Sequence, residues 1–152
     1  MQPLQQFAAY TGRWQGNNKL QDPLTNSPED SPATATLTTL LGGRFLRLDY
    51  TWVYQDAPQE GSLLLGYDAD AVQVTAHWID SWHMGDKVMA CKGSATSAGE
   101  ISVRGSYAAP PGPDWGWRIT ITPHQGQRLQ MVMNNIWPEG KEELAVEADY
   151  TR

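Results

Sequence analysis

The stretch LRLDYTWVY, residues 46–54, decides the fold. Leu46, Leu48, Tyr50, Trp52 and Tyr54 fall on every second position, with Arg47, Asp49 and Thr51 between them. Period two is the repeat of a strand, and an apolar face backed by a polar one describes a sheet with one wet side. Upstream, the alternation recurs in Ala35-Leu37-Thr39-Leu41. Downstream it returns in Val72-Val74-Ala76-Trp78, Ile101-Val103-Gly105-Tyr107 and Trp115-Trp117-Ile119-Ile121, then in Leu129-Met131-Met133 and Leu144-Val146-Ala148-Tyr150. Gly42-Gly43, Asp68-Ala69-Asp70, Ser97-Ala98-Gly99-Glu100 and Gln125-Gly126 supply turn chemistry between the runs. Two Pro-rich stretches, Leu20–Ser31 and Ala108–Asp114, read as long loops. Only the start looks helical: Pro3 suits a first turn, and Leu4, Phe7 and Ala8 predict a short amphipathic helix ending near Gly12. About nine or ten short antiparallel strands make a sandwich or a barrel. Consecutive hairpins without a long crossover favour an all-β, up-and-down antiparallel barrel, which leaves no edge strand exposed.

The chain has 152 residues, which fits one domain over residues 1–152. Its 11 basic and 17 acidic side chains leave a net charge of −6. That balance argues against nucleic acid and against an anionic membrane surface. Cys91 is the one cysteine, so no intrachain disulfide forms, which fits a reducing compartment. The opening MQPLQQFAAY has neither the basic nor the apolar region of a secretory signal. No run reaches the ~18 consecutive apolar residues that a membrane-spanning helix needs. A cytoplasmic protein is expected.

Gly12-Arg13-Trp14, directly after the predicted helix, resembles the opening signature of the lipocalin and calycin barrels. In those barrels the Trp closes the floor against an Arg from the last strand. Here Arg152 counts onto the same pleat face as Leu144, Val146, Ala148 and Tyr150, so it is expected to point inward and close the barrel with Trp14. More of the chain resembles a bacterial domain family of unknown function with a lipocalin-like barrel. The matching stretches are FAAYTGRWQG (7–16), LGGRFL (41–46), LGYD (65–68), HWIDS (77–81), Lys92-Gly93 and the terminal YTR (150–152). The resemblance implies a fold and a cavity, and carries no activity to transfer. A neighbouring barrel group binds haem through a His in the last strand. Glu147-Ala148-Asp149-Tyr150 offers no imidazole there, so no cofactor is expected. Other lipocalin-like proteins are cyclases or isomerases, which implies an enzyme alternative.

Candidate chemistry is sparse. His77, Asp80 and His83 lie close in sequence, but His77 and Asp80 are an odd number apart and point to opposite strand faces. A turn at Ser81-Trp82 would bring Asp80 to His83, making them the candidate acid–base pair; no metal site is expected. No Gly-x-Ser-x-Gly elbow or phosphate loop is present, and Cys91 reads as a small packing residue. Arg44, after Gly42-Gly43, reads as a solvated turn residue.

The aromatic inventory is the anomaly, with 7 Trp against 2 Phe. Tyr50, Trp52, Tyr54, Trp78, Trp115, Trp117 and Trp137 count as inward. Small barrels do fill their interiors with side chains, but a plain core favours Leu, Ile and Phe, whose burial strands no N–H or O–H. Polar-tipped aromatics beside Met131, Asn135 and Arg152 resemble a pocket lining with a few orienting groups. The reading is therefore binding of a small, largely apolar molecule, aromatic ones included, inside the barrel. Trp52, Trp78, Trp117 and Met131 would supply contact area, and Tyr50, Asn135 and Arg152 orientation. The alternatives are an isomerase or cyclase using the same cavity, or a filled barrel acting in protein association. A homodimer is expected over SLLLGY (62–67), whose leucines read as buried on both faces.

Overall fold

A computed structural model describes residues 2–152 and shows an all-β barrel preceded by one 3-10 helix, Pro3–Tyr10. The strands are β1 (Gly12–Asp22), β2 (Ser27–Leu40), β3 (Phe45–Tyr54), β4 (Ala57–Asp68) and β5 (Gln73–Asp80). They continue as β6 (Met89–Ala95), β7 (Ile101–Tyr107), β8 (Trp115–His124), β9 (Arg128–Ile136) and β10 (Glu142–Thr151). Every strand pairs antiparallel with its sequence neighbours, and β1 closes the ring against β10 with Gln15 opposite Thr151 and Leu20 opposite Val146. Closure removes the sheet edges. Among the described residues no helix is long and apolar enough to cross a membrane.

The helix buries Leu4 and Phe7 while Ala8 stays exposed. A 3-10 turn repeats every three residues, so Leu4, Phe7 and Tyr10 share a face and the expected partner Ala8 does not. That face seals one end of the barrel. Tyr10 stacks on Trp14 at 6.0 Å between ring centroids, the Trp14 indole N–H donates to Tyr10 O at 2.9 Å, and Gly126 N donates to the Tyr10 hydroxyl at 2.7 Å. The Arg152 guanidinium lies 4.4 Å from the Trp14 ring centroid and donates to Thr11 O at 2.8 Å and to Ala9 O. Arg152 thus does not point inward as the pleat count predicted: it is exposed and clamps the helix to the first strand from outside.

Three further expectations are corrected. Leu20–Ser31 is not a long loop: β1 and β2 run on through Asp22 and from Ser27, leaving only residues 23–26 as a turn. β3 pairs with β2 only from Thr34 onward, so Pro28 and Pro32 sit in a stretch with one neighbour, where a missing N–H is tolerated. Leu144 does not share the inward face of Val146, because a register shift against β9 between those residues turns it out to 40% exposure. Leu63 and Leu65 are buried, but Leu64 points outward and is 37% exposed, so β4 is not buried on both faces.

Candidate functional site

With the helix end closed, the opposite end, where β1, β5, β7 and β9 finish, holds a cavity of about 670 Å³. Its walls include Leu20 and Asp22 from β1, Trp78 from β5, Met89 from β6, Tyr107 from β7, Trp117 from β8 and Asn135 from β9. The segment 81–88 between β5 and β6 folds over this mouth and contributes Trp82, His83, Met84 and Lys87.

Asp80 builds that segment. Its Oδ1 accepts from Trp82 N at 2.9 Å and His83 N at 2.8 Å, an Asx-type turn that redirects the chain as β5 ends. The same oxygen meets His83 Nδ1 at 3.1 Å. Its Oδ2 accepts from the Tyr50 hydroxyl at 2.7 Å, and the Tyr50 oxygen accepts from the Trp78 indole N–H at 2.8 Å. Tyr50 reaches Asp80 across β4 because Gly61 stands opposite both residues and has no side chain to block the ring.

Asp80 is buried, and burial alone would push its carboxyl up. The hydrogen bonds from the His83 ring and backbone, together with the Tyr50 hydroxyl, outweigh that and hold it below the ordinary 3.8. Burial, followed by the Asp80 charge, drives the Tyr50 phenol well above 10.0, so it remains a donor.

His83 stands among four indoles, with ring centroids 5.7 Å from Trp52, 5.8 Å from Trp78, 4.8 Å from Trp82 and 5.4 Å from Trp117. Trp78 and Trp117 lie 5.2 Å apart and nearly parallel, at 11°. The indole nitrogen of Trp117 is buried and has no hydrogen-bond partner among the described residues. Across the cavity the Tyr107 hydroxyl donates to Asn135 Oδ1 at 2.5 Å.

The residues singled out from sequence divide by height along the barrel. Trp78, Trp117 and Asn135 line the cavity, and the turn brings Asp80 and His83 together at its wall. Tyr50 and Trp52 are buried behind that wall. Met131 lies deeper, fully buried between Ile121 and Ala148 on the neighbouring strands. Arg152 is at the far end, on the floor. Trp115 and Trp137 are only half-buried and pair with each other at 4.9 Å.

His77 is exposed on the outer face, and among the described residues no three His, Cys, Asp or Glu side chains converge to hold a metal. The inward positions of β10 are Val146, Ala148 and Tyr150, so axial ligation of haem by a His of that strand does not fit this chain. Cys91 is buried against the open face of Gly105, and burial pushes its thiol up to about 11. Sequence reasoning missed Trp82, Met84 and Tyr107 as lining residues. Trp82 and Met84 lie beyond the last alternating residue of β5, where periodicity carries no signal.

A family model described as "Protein of unknown function (DUF1579)" matches residues 2–152. Among curated proteins none matches the chain. The barrel is similar to the crystal structure of Rv2717c from M. tuberculosis, with a TM-score of 0.61 and 15% identity, covering 99% of this chain and 96% of that one. At that identity the likeness shows the fold.

Proposed function

Since the chain belongs to the family of proteins of unknown function DUF1579, we propose its role from the cavity itself: binding of a small, largely apolar, flat aromatic molecule in the barrel mouth. The observation that carries this reading is the parallel Trp78–Trp117 pair forming one wall of a cavity of about 670 Å³. Small-molecule sites span roughly 300–1,000 Å³ and combine apolar walls with a few convergent polar groups. The polar groups of the lining include Asp22, His83, Lys87, Tyr107, Asn135 and Glu143. A flat ring laid against an indole gains contact area and stacking worth about 0.5–1.5 kcal/mol beyond burial. Met84 and Met89 are adaptable partners for the rest of its surface.

Naphthalene is a suitable probe. With ~10 heavy atoms at ~0.5–0.7 kcal/mol each, it should bind with a Kd of about 10–200 μM. Equilibrium dialysis against the wild type and Trp117→Ala tests the proposal. Saturable binding that weakens in the variant supports it. No binding, or unchanged affinity in a folded variant, overturns it.

The Asp80–His83 contact favours a second reading, proton transfer in the same cavity by an isomerase-type enzyme. β-Tetralone in heavy water tests it: exchange at the α-carbon above the buffer rate, lost in Asp80→Asn, supports turnover, and exchange at the buffer rate contradicts it.

A further inference from the structure

We infer that His83 Nε2 accepts a hydrogen bond from a weakly acidic hydroxyl, a phenol or an enol, carried by the molecule in the barrel mouth. This rests on the reading of that mouth as a binding cavity and names the chemical class it selects. A carboxylate can only accept, so the contact between Asp80 Oδ1 and His83 Nδ1 places the proton of the neutral ring on Nδ1. Nε2 then carries the lone pair. It makes no hydrogen bond among the described residues, and His83 lines the cavity with its side chain 12% exposed.

Asp80 cannot serve as the acceptor in its place. It is buried, and its oxygens already take Tyr50, Trp82 N, His83 N and His83 Nδ1. The free valence of the whole network is therefore Nε2 of a ring that lines the mouth. Asp80 fixes the tautomer and, with the surrounding indoles, the ring orientation; it acts as a positioning residue.

The Trp117 ring is 5.4 Å from that of His83, and its N–H is buried without a partner among the described residues. A hydroxyl presents one donor and two lone pairs, so it donates to Nε2. An ether lacks the donor. A carboxylate would set its charge against the Nε2 lone pair, and its partner in the lining would be Lys87 rather than His83. An ammonium would share the lining with Lys87 and find the Asp22 carboxylate already engaged by Leu24 N and the Tyr54 hydroxyl, which leaves Glu143 and not His83 as its partner.

The test compares Kd values near neutral pH for β-naphthol, β-methoxynaphthalene and β-naphthoate with wild type and His83→Phe. The Phe ring keeps the packing among the indoles and removes the acceptor. β-Naphthol should bind about tenfold more tightly than its methyl ether, and that advantage should vanish in His83→Phe. Equal binding of naphthol and ether to the wild type overturns the inference while leaving the binding reading intact. Tighter binding of naphthoate also overturns it, since a protonated imidazole selecting anions would then be at work. An advantage that survives in His83→Phe places the acceptor elsewhere and overturns it too. If the variant does not fold, the wild-type comparison of the three probes still decides. Failure of all three to bind overturns both readings.

Discussion

Gly61→Ala is a substitution of one methyl group on an ordinary extended backbone, so intrinsic strain contributes nothing to its effect. Its consequence comes from Tyr50. A Cβ at position 61 would overlap Tyr50 Oη and Cζ and stand 2.8 Å from Cε1. The ring has little freedom to give way, because its hydroxyl is held between Asp80 at 2.7 Å and Trp78 Nε1 at 2.8 Å. Forcing a methyl into a filled interior costs ~1–3 kcal/mol. Breaking the bond to the Asp80 carboxylate adds ~1.5–3 kcal/mol, with a further ~1 kcal/mol for the stranded Trp78 N–H. The sum, allowing for partial relaxation, is about 3–5 kcal/mol, or a fall in Tm of about 10 °C for a chain of this size. Urea unfolding followed by circular dichroism measures it, with the m-value expected unchanged. In a Tyr50→Leu background, where the ring is gone, Gly61→Ala should cost ~1 kcal/mol or less, so the two changes are strongly non-additive. A loss below ~0.5 kcal/mol in the wild-type background, or the same loss in both backgrounds, would refute the reasoning.

Further expectations follow from the same contacts. The folded-state carboxyl of Asp80 is depressed below 3.8, so its stabilisation is complete above the unfolded value and is lost as pH falls through the folded one. Asp80→Asn should therefore be less stable than wild type at neutral pH, with the gap narrowing under acid in urea titrations; a pH-independent gap contradicts the assignment. Cys91, buried and with its thiol pushed up to about 11, should resist iodoacetamide in the native state and label only on unfolding, as read by intact mass. Arg152→Ala removes the contact with Trp14 and the clamps on Thr11 O and Ala9 O, and should cost ~1–3 kcal/mol in urea unfolding while leaving the affinity for β-naphthol unchanged. A weakened affinity would put Arg152 in the ligand site after all.

Alternation made the strands legible, and residue types at the two chain ends made the floor legible. Period two reports which face a side chain takes but not its height along the barrel axis. Trp117 and Met131 both count as inward, yet Trp117 pairs with Asn135 at the mouth while Met131 pairs with Ile121 and Ala148 in the filled interior. Height follows from hairpin register, and register from the turns. The prolines hid the β1–β2 turn, because Pro28 and Pro32 sit in a stretch of β2 that only β1 pairs, where a missing donor is tolerated. The Asp80–His83 contact was legible as a possibility of the Ser81-Trp82 turn. The wall of indoles around His83 was not, since Trp52, Trp78, Trp82 and Trp117 converge from separate parts of the chain.

The central claim, that the mouth and not the floor receives a flat aromatic molecule, is tested most directly by the indole N–H resonances of ¹⁵N-labelled protein titrated with β-naphthol. Trp117, unpartnered at the cavity wall, and Trp82, in the segment over it, should shift saturably with one Kd. Trp14, bonded to Tyr10 O beneath Arg152, should stay in place as the internal control. Resonances that do not move, or a Trp14 shift as large as that of Trp117, would contradict the account.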